Sequence, residues 1–345
     1  MEKKNFDEFK NEVAAMIKDY LPERYKDATV EYKDVVKNND TVYTGLILRT
    51  GEEGICPTLY LETYFEAYEA GAEMDDVLTK LAETYAAAEG HFDKDEVISF
   101  VLNYGEAKKS IVPRLINRKM NEQRLKEMPH TPIDGDLAVS YHIHLGEMDD
   151  GNASVQITNE MFERYGVTLE TLHKDAMENL KTVTPATFLP ISTVVYNMMG
   201  YSPEEIEAMT DFENESMFVL SNEQKYFGAV WVLDMEEMAS IREQIGDFYI
   251  LPSSVHETIL VKISGSEEMK DPVSELNRMV MEVNATEVAD AEILANHIYK
   301  VDWEKGGIVS LETGVEDCGC TLDEADGLTG TDAVVNQGIS LTVKA

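Results

Sequence analysis

Ser253, Ser254, His256 and Glu257 place two hydroxyls, an imidazole and a carboxylate within five positions. Those are the side-chain types of a hydrolase in which histidine takes the proton of a nucleophilic serine, so the four are the candidate catalytic residues. In a strand, however, Ser254, His256 and Thr258 share one face while Val255 and Glu257 share the other, so the imidazole and the carboxylate diverge. No G-x-S-x-G elbow accompanies them, and a turn whose serines satisfy backbone groups accounts for the same residues. His142 and His144 form a second candidate. Their spacing puts both rings on one side of a strand, where they could ligate zinc or iron, with His130, Asp134, Asp136, Glu147, Asp149 and Asp150 as the nearest further donors. The third is a basic island, KKSIVPRLINRKMNEQRLK, in which Lys108, Lys109, Arg114, Arg118, Lys119, Arg124 and Lys126 meet only Glu122. It is either an anion or partner contact, or a surface that pairs with the chain's own acids within the fold or a dimer. The absence of a glycine-rich phosphate loop and of an aromatic stacking platform favours pairing. Cys318 and Cys320, one residue apart, do not complete a metal site, and Cys56 before Pro57 is expected to fill space as a small apolar side chain.

The island stands out because the chain around it is so acidic. Its 345 residues carry 66 acids against 29 bases, a formal charge of -37. A field of that sign repels phosphate backbones and anionic membrane surfaces, so direct nucleic-acid binding is not expected. The acids are spread along the chain rather than gathered in a run. Solubility explains them most simply, and acidic mimicry of DNA is a sharper alternative. The start MEKKNFDEFKNEV has no apolar signal-peptide core, and no stretch approaches the roughly 20 apolar residues of a membrane helix. With three cysteines and no disulfide framework, a cytoplasmic protein is expected.

The elements that must position these groups follow from hydrophobic spacing. Phe6, Phe9, Val13, Met16, Ile17 and Tyr20 recur at helical intervals until Pro22. TVEYKDVVK and TVYTGLILR flank Asn38-Asn39-Asp40 as a hairpin, and CPTLYLETYFEAY leads from strand into helix. Met74, Val77, Leu78, Leu81 and Tyr85 make another helix, and a third lies near 96–104. DLAVSYHIHL and ASVQIT predict a second hairpin across GEMDDGN, followed by a helix after Asn159 and another bearing Leu169, Leu172, Ala176 and Leu180. ATFLPISTVVYNMMG reads as strand or buried helix, and Ser202-Pro203-Glu204-Glu205 opens a short helix. Further on, SMFVLSN and GAVWVLD are expected as neighbouring strands. The helix MEEMASIREQIG ends at Gly246, DFYILP and VHETILVKI are strands, and helices are expected over 273–284 and from Thr286.

These elements predict an α+β protein with mixed helices and mostly antiparallel sheets in three sequential units, 1–105, 106–210 and 211–309, with a mobile acidic tail over 310–345. A two-domain division is the alternative. The blocks PTLYLETYFEAY, IVPRLINRKMNEQRLKEMPH, MFVLSNEQKYFGAVWVLD and FYILPSSVHETILV, in that order, resemble the bacterial family known as domain of unknown function 5688, common in gut Firmicutes, over roughly residues 5–305. DLAVSYHIHL through AMENL to LPSSVHETILV is more distantly similar to uncharacterised family 1444. The resemblance implies a cytoplasmic bacterial protein of mixed α and β structure and brings no catalytic residue or cofactor with it. The expectation is then a non-enzymatic binding or regulatory protein acting through a protein partner. A hydrolase using Ser254/His256 or a metal enzyme using His142/His144 is the alternative, and a DNA-mimic inhibitor is a further one.

Overall fold

The computed structural model describes residues 4–50, 57–90, 94–148, 151–265 and 270–312. Cys56, Cys318, Cys320, the Asp149-Asp150 turn and the expected tail from 313 onward lie outside the described residues.

Asn5 and Glu8 close a capping box at the start of α1 (Phe6–Tyr20), whose Phe9, Val13 and Ile17 are buried. The predicted hairpin forms as β1 (Thr29–Val36) and β2 (Val42–Arg49) in antiparallel register, and β3 (Leu59–Tyr60) adds a short third strand opposite Gly45 and Leu46. The helices α2 (Leu61–Glu69) and α3 (Met74–Gly90) pack with α1 over this sheet. Because β3 begins only at Leu59, opposite Leu46, Leu48 has no strand neighbour on that edge among the described residues. The buried Tyr85 hydroxyl takes that place, accepting from the Leu48 N–H at 2.9 Å and donating to its carbonyl at 3.2 Å. Tyr85→Phe leaves both buried backbone groups without a partner, and the expected cost is about 1–3 kcal/mol. An unchanged midpoint in urea would refute this account.

After α4 (Lys94–Leu102) and α5 (Tyr104–Ala107) come β4 (Ile111–Asn117), β5 (His130–Pro132), β6 (Leu137–Met148) and β7 (Gly151–Gln156). The long β6 pairs β4 along one side and β5 and β7 along the other, all antiparallel. Pro113, which has no N–H to donate, is accommodated because β4 is an edge strand. The helices α6 (Asn159–Tyr165) and α7 (Leu169–Val183) follow. Thr158, not Asn159, caps α6, since its hydroxyl accepts from the Met161 N–H, and Thr168 caps α7 in the same way. Leu172, Ala176 and Leu180 of α7 join Ile111, Leu115, Val139, Tyr141 and Ile143 in one apolar cluster, which covers one face of this second sheet.

The ambiguous apolar run resolves into both readings, β8 (Ala186–Pro190) and then α8 (Ile191–Met198), but α8 is not buried: Met198 is 84% and Met199 68% exposed. The Ser202 capping box opens α9 (Pro203–Met209). Thereafter β9 (Met217–Asn222), α10 (Met235–Ile245), β10 (Phe248–Leu251), β11 (Thr258–Lys262), α11 (Pro272–Thr286), β12 (Tyr299–Asp302) and β13 (Gly307–Ser310) complete the described chain. The third sheet runs β13-β12-β10-β11-β9-β8, every neighbour antiparallel. Alternation along it is clean. Phe218, Leu220, Ile250 and Leu260 join the cluster of the second sheet, while Leu251 and Val261 face Leu276 and Val280 of α11.

Two sequence expectations fail here. GAVWVLD is not a strand: Gly228–Leu233 is a 3-10 segment, buried from Gly228 to Val232, and Trp231 donates to the Thr184 carbonyl. A fully apolar run satisfies a buried turn as well as a buried strand, so composition alone could not separate them. No helix begins at Thr286; α11 ends there, and the chain continues irregularly to β12.

Candidate functional site

The face of the second sheet turned away from α7 is unusually polar. Antiparallel register aligns Val112 with His142, Arg114 with Ser140 and Ile116 with Ala138, and places Gln156 beside His142 and Ser154 beside His144. Residues opposite each other project to the same side, so Arg114, Ser140, His142, His144, Ser154 and Gln156 share it. Arg114 and His142 are buried, 7% and 3% exposed.

Three segments close over this face. The first is the β1–β2 hairpin tip, where Asn39 and Asp40 adopt left-handed backbone. Asn39 donates to the carbonyls of Asp290 and Ile293 and exchanges hydrogen bonds with Asn121, while Asn38 donates to the Ala291 carbonyl. Asp40 accepts from the Gln123 and Arg124 N–H groups, capping the 3-10 turn Arg124–Lys126. That turn is the second segment, and it lays Arg124 against the sheet, where Nε and Nη2 both donate to the Gln156 amide oxygen at 3.1 and 2.7 Å. The hairpin brings Lys37, whose Nζ lies 3.8 Å from the centre of the Tyr60 ring.

The third segment is the β9 loop. Lys225 and Phe227 are non-glycine residues in left-handed backbone, a conformation that costs free energy and persists only where the surroundings enforce it. Asn222 enforces it by accepting from the Tyr226 N–H and donating to the Tyr226 carbonyl. Gly228 follows so closely packed that a Cβ would stand 2.5–2.7 Å from Ser221 Oγ, Asn222 N and the His256 carbonyl. The product is a pair of rings over Arg114: its guanidinium carbon lies 4.1 Å from the Phe227 centroid and 4.9 Å from that of Tyr226, while Nη2 donates to Ser154 Oγ at 2.7 Å. All four non-glycine residues with positive φ among the described residues sit in the two loops that cover this site.

Cations dominate the site, and Asp40 and Tyr226 offset part of the cost of burying Arg124. Among the described residues no carboxylate lies within ion-pair distance of Lys37, Arg114 or Arg124. Burial, reinforced by Arg124 and Arg114, lowers Lys37 to about 7 even though the residue as a whole is only half-buried. Burial also lowers Arg124 to about 10, with Arg114 adding to the effect. His142 falls well below the usual imidazole value through burial first and then the three cations, which keeps it neutral. Beside Arg114 lies a cavity of about 20 Å³, bordered by His144, Asn152, Gln224 and Tyr226, and the Asn152 and Gln224 amide oxygens have no hydrogen-bond partner.

The sequence candidates divide accordingly. Of the seven basic residues of the island only Arg114 and Arg124 converge. Lys108, Lys109, Arg118, Lys119 and Lys126 are exposed, with Arg118 donating to the Gly135 carbonyl and Lys119 near Glu312. Lys37 was not among the candidates; its only signal was its place beside the Asn-Asn-Asp turn. His142 and His144 do share a face, but His142 is met by cations and by Ser140 Oγ at 3.3 Å. Asp136 faces elsewhere, accepting from Tyr299 and Asn117, and Asp134 accepts from the Ser310 N–H. Among the described residues no three His, Cys, Asp or Glu side chains gather to hold a metal.

Ser253–Glu257 is a loop rather than the start of a strand, since β11 begins at Thr258. Ser254 Oγ accepts from the His256 backbone N–H at 3.0 Å and is not directed to its ring. The ring serves the site differently: Nδ1 accepts from the Phe227 N–H at 3.2 Å, Nε2 is 3.4 Å from Glu292, and the imidazole stacks on Tyr226 at 5.4 Å. Glu257 is largely buried, which raises its carboxyl. Ser253 contributes its N–H to the Leu251 carbonyl.

Fold and site together define an α+β protein of antiparallel sheets that holds a cation cluster between a hairpin tip, an aromatic loop and a polar sheet face. The chain belongs to a family of unknown function, DUF5688, whose model matches residues 6–302. No curated protein and no solved structure matches it. No helix among the described residues is long and apolar enough to cross a membrane.

Proposed function

We propose that the chain binds a small anionic molecule, a carboxylate or phosphate, at Lys37, Arg114 and Arg124. One observation carries this reading: a chain with 66 acids places three cations at one desolvated site with no carboxylate at ion-pair distance among the described residues, while Asp40 acts on Arg124 from farther away. Removing an ion from water costs on the order of several kcal/mol, and clustering like charges adds to that cost. An arrangement so unfavourable for stability, with acids abundant everywhere else, is what a site for a ligand's negative charge requires. Arg114 is prepared for a planar oxyanion, because Ser154 and the Tyr226 and Phe227 rings fix its guanidinium before the ligand arrives. The surrounding negative field disfavours a long polyanion, so a small ligand fits better than a nucleic-acid backbone.

Contact with a protein partner, the expectation drawn from acidity, finds an apolar surface at α8 and α9, where Val195, Met198, Met199, Tyr201, Met209 and Phe212 are exposed. Nothing in the described structure selects an occupant for it, so the cation cluster carries the functional reading.

Calorimetric titration of the full chain with inorganic phosphate and with citrate tests the proposal. At pH 8 Lys37 is mostly neutral, since burial and the two arginines lower it to about 7. A bound anion favours the charged form and draws in a proton. The expected result is saturable binding whose enthalpy changes with the ionisation enthalpy of the buffer, and whose affinity falls as pH rises above 7. No binding heat and no rise in melting temperature with any probe at about 10 mM, a concentration that would reveal even a millimolar site, would overturn it.

A further inference from the structure

We infer that the anion this site takes also carries a neutral NH2 group. The ligand is a small carboxylate bearing a primary carboxamide or ureido function, whose N–H groups donate to the amide oxygens of Asn152 and Gln224. The inference rests on the anion-binding reading and names the class of ligand.

Two orphaned acceptors border the cavity beside Arg114. Asn152 of β7, which is 9% exposed, and Gln224 of the β9 loop each bring a buried side-chain oxygen without a hydrogen-bond partner. A buried polar atom left unpaired is destabilising, so two at one cavity call for a donor. Gln224 Nε2 donates to the Val183 carbonyl at the end of α7, 3.5 Å away. Exchanging its nitrogen and oxygen would set oxygen against oxygen, so the orphaned atom is the acceptor. Asn152 shares its side of β7 with Ser154 and Gln156, which accept from Arg114 and Arg124. Its amide therefore stands on the side of the sheet where the guanidiniums lie. The Tyr226 and Phe227 rings that meet the Arg114 guanidinium line the same cavity.

The chemistry of the occupant follows from what surrounds it. A cavity of about 20 Å³ has room for one group the size of water, so it receives the end of a ligand rather than the whole. That end must donate, because both unpaired atoms are acceptors. It must also be neutral, since Arg114 lines the cavity and no acidic side chain among the described residues does. An ammonium there would meet a guanidinium with nothing to balance the two charges. The planar NH2 of a carboxamide or urea meets all three conditions: it is close to water in size, carries no charge and offers two N–H donors, one for each oxygen. The remaining requirement is a negative group for Arg114, which places a carboxylate close to the NH2. Oxamate, with its carboxylate bonded directly to a carboxamide, is a compact member of the class.

The test compares oxamate with pyruvate, which has the same charge and shape but a methyl in place of the NH2, by calorimetric titration of the full chain at pH 7. Oxamate satisfies both buried oxygens and pyruvate leaves them unpaired, so oxamate should bind at least about tenfold tighter. Inorganic phosphate should compete with oxamate, because both need Arg114. Gln224→Met and Asn152→Leu each keep the size of the side chain and remove one acceptor, and each should lower the ratio of oxamate to pyruvate affinity by at least about threefold. The comparison of the two ligands uses the unaltered chain, so it decides the matter even where a variant folds poorly. Equal affinity for oxamate and pyruvate in a chain that binds phosphate would mean that the cavity takes water and no part of the ligand; it overturns the inference and leaves the anion site standing. A preference for oxamate that both variants retain, or that phosphate does not compete with, overturns it as well. A chain that binds neither phosphate nor oxamate refutes both readings.

Discussion

Replacing Arg114 by glutamine is expected to weaken binding of phosphate or a carboxylate by about 10- to 100-fold, the range that follows from losing a charge-assisted contact of about 1.5–3 kcal/mol. The effect should exceed that of Arg124→Gln for a structural reason. Arg114 is buried, tied to Ser154 and held against two rings, so its side chain is already ordered when the ligand arrives. Arg124 keeps some solvent contact, and Gln156 occupies two of its donors. The unliganded variant should behave in the opposite sense to an ordinary core substitution. Arg114→Gln gives up stacking worth about 1–2 kcal/mol, but it also removes one of three desolvated like charges, so its melting temperature without ligand should stay close to that of the parent. Parallel melts with and without phosphate check both parts. An Arg114→Gln protein that binds as tightly as the parent would remove this residue from the site, and one that melts far lower without ligand would mean the arginine serves stability first.

Much of the scaffold can be read from spacing, while the site depends on assembly. The β1–β2 and β6–β7 hairpins, α1, α3, α7 and α10 follow from alternation, helical recurrence and capping residues, because those signals are local. The failure at Gly228–Leu233 is instructive: its burial comes from the loop geometry set by Asn222, His256 and Ser221, which no window of sequence contains. The basic island contained two of the three cations, but counting charges treated its seven members alike. What separates Arg114 is its phase within IVPRLI. It follows Val112 and precedes Ile116 on one side of β4, while Ile111, Pro113 and Leu115 occupy the other, so an arginine set in a run apolar on both faces has to be buried. Lys37 carries no comparable mark, since it joins the site only when the hairpin tip docks on Asn121 and on the carbonyls of 290–293. The serine and histidine of Ser253–Glu257 suggested hydrolysis through proximity. In the fold they are separated by function: Ser254 braces the loop backbone, and the His256 ring braces Phe227.

Gly228→Ala should be the most damaging single-methyl change at this site, because the space for the methyl is taken by atoms that cannot move independently. The added carbon would stand 2.5 Å from Ser221 Oγ, 2.6 Å from Asn222 N and 2.7 Å from the His256 carbonyl oxygen. Two of the three are backbone, and the Ser221 hydroxyl is itself committed to the His256 carbonyl at 2.8 Å. Relief requires β9 and the 252–257 loop to separate, and overpacking of this kind costs about 1–3 kcal/mol, occasionally more. The same movement disturbs the Phe227 N–H to His256 Nδ1 bond and slides Tyr226 and Phe227 off Arg114. The variant should therefore lose stability and anion affinity together, unlike Arg114→Gln, which loses affinity alone. Gly307→Ala is the matched control: nothing lies within 4 Å of its added carbon, and its stability should change by no more than about 0.5 kcal/mol. Urea denaturation and phosphate titration of both variants give the readout. If Gly228→Ala unfolds at the same denaturant concentration as Gly307→Ala and binds phosphate like the parent, the tight loop does not position the rings and the cation site does not depend on it.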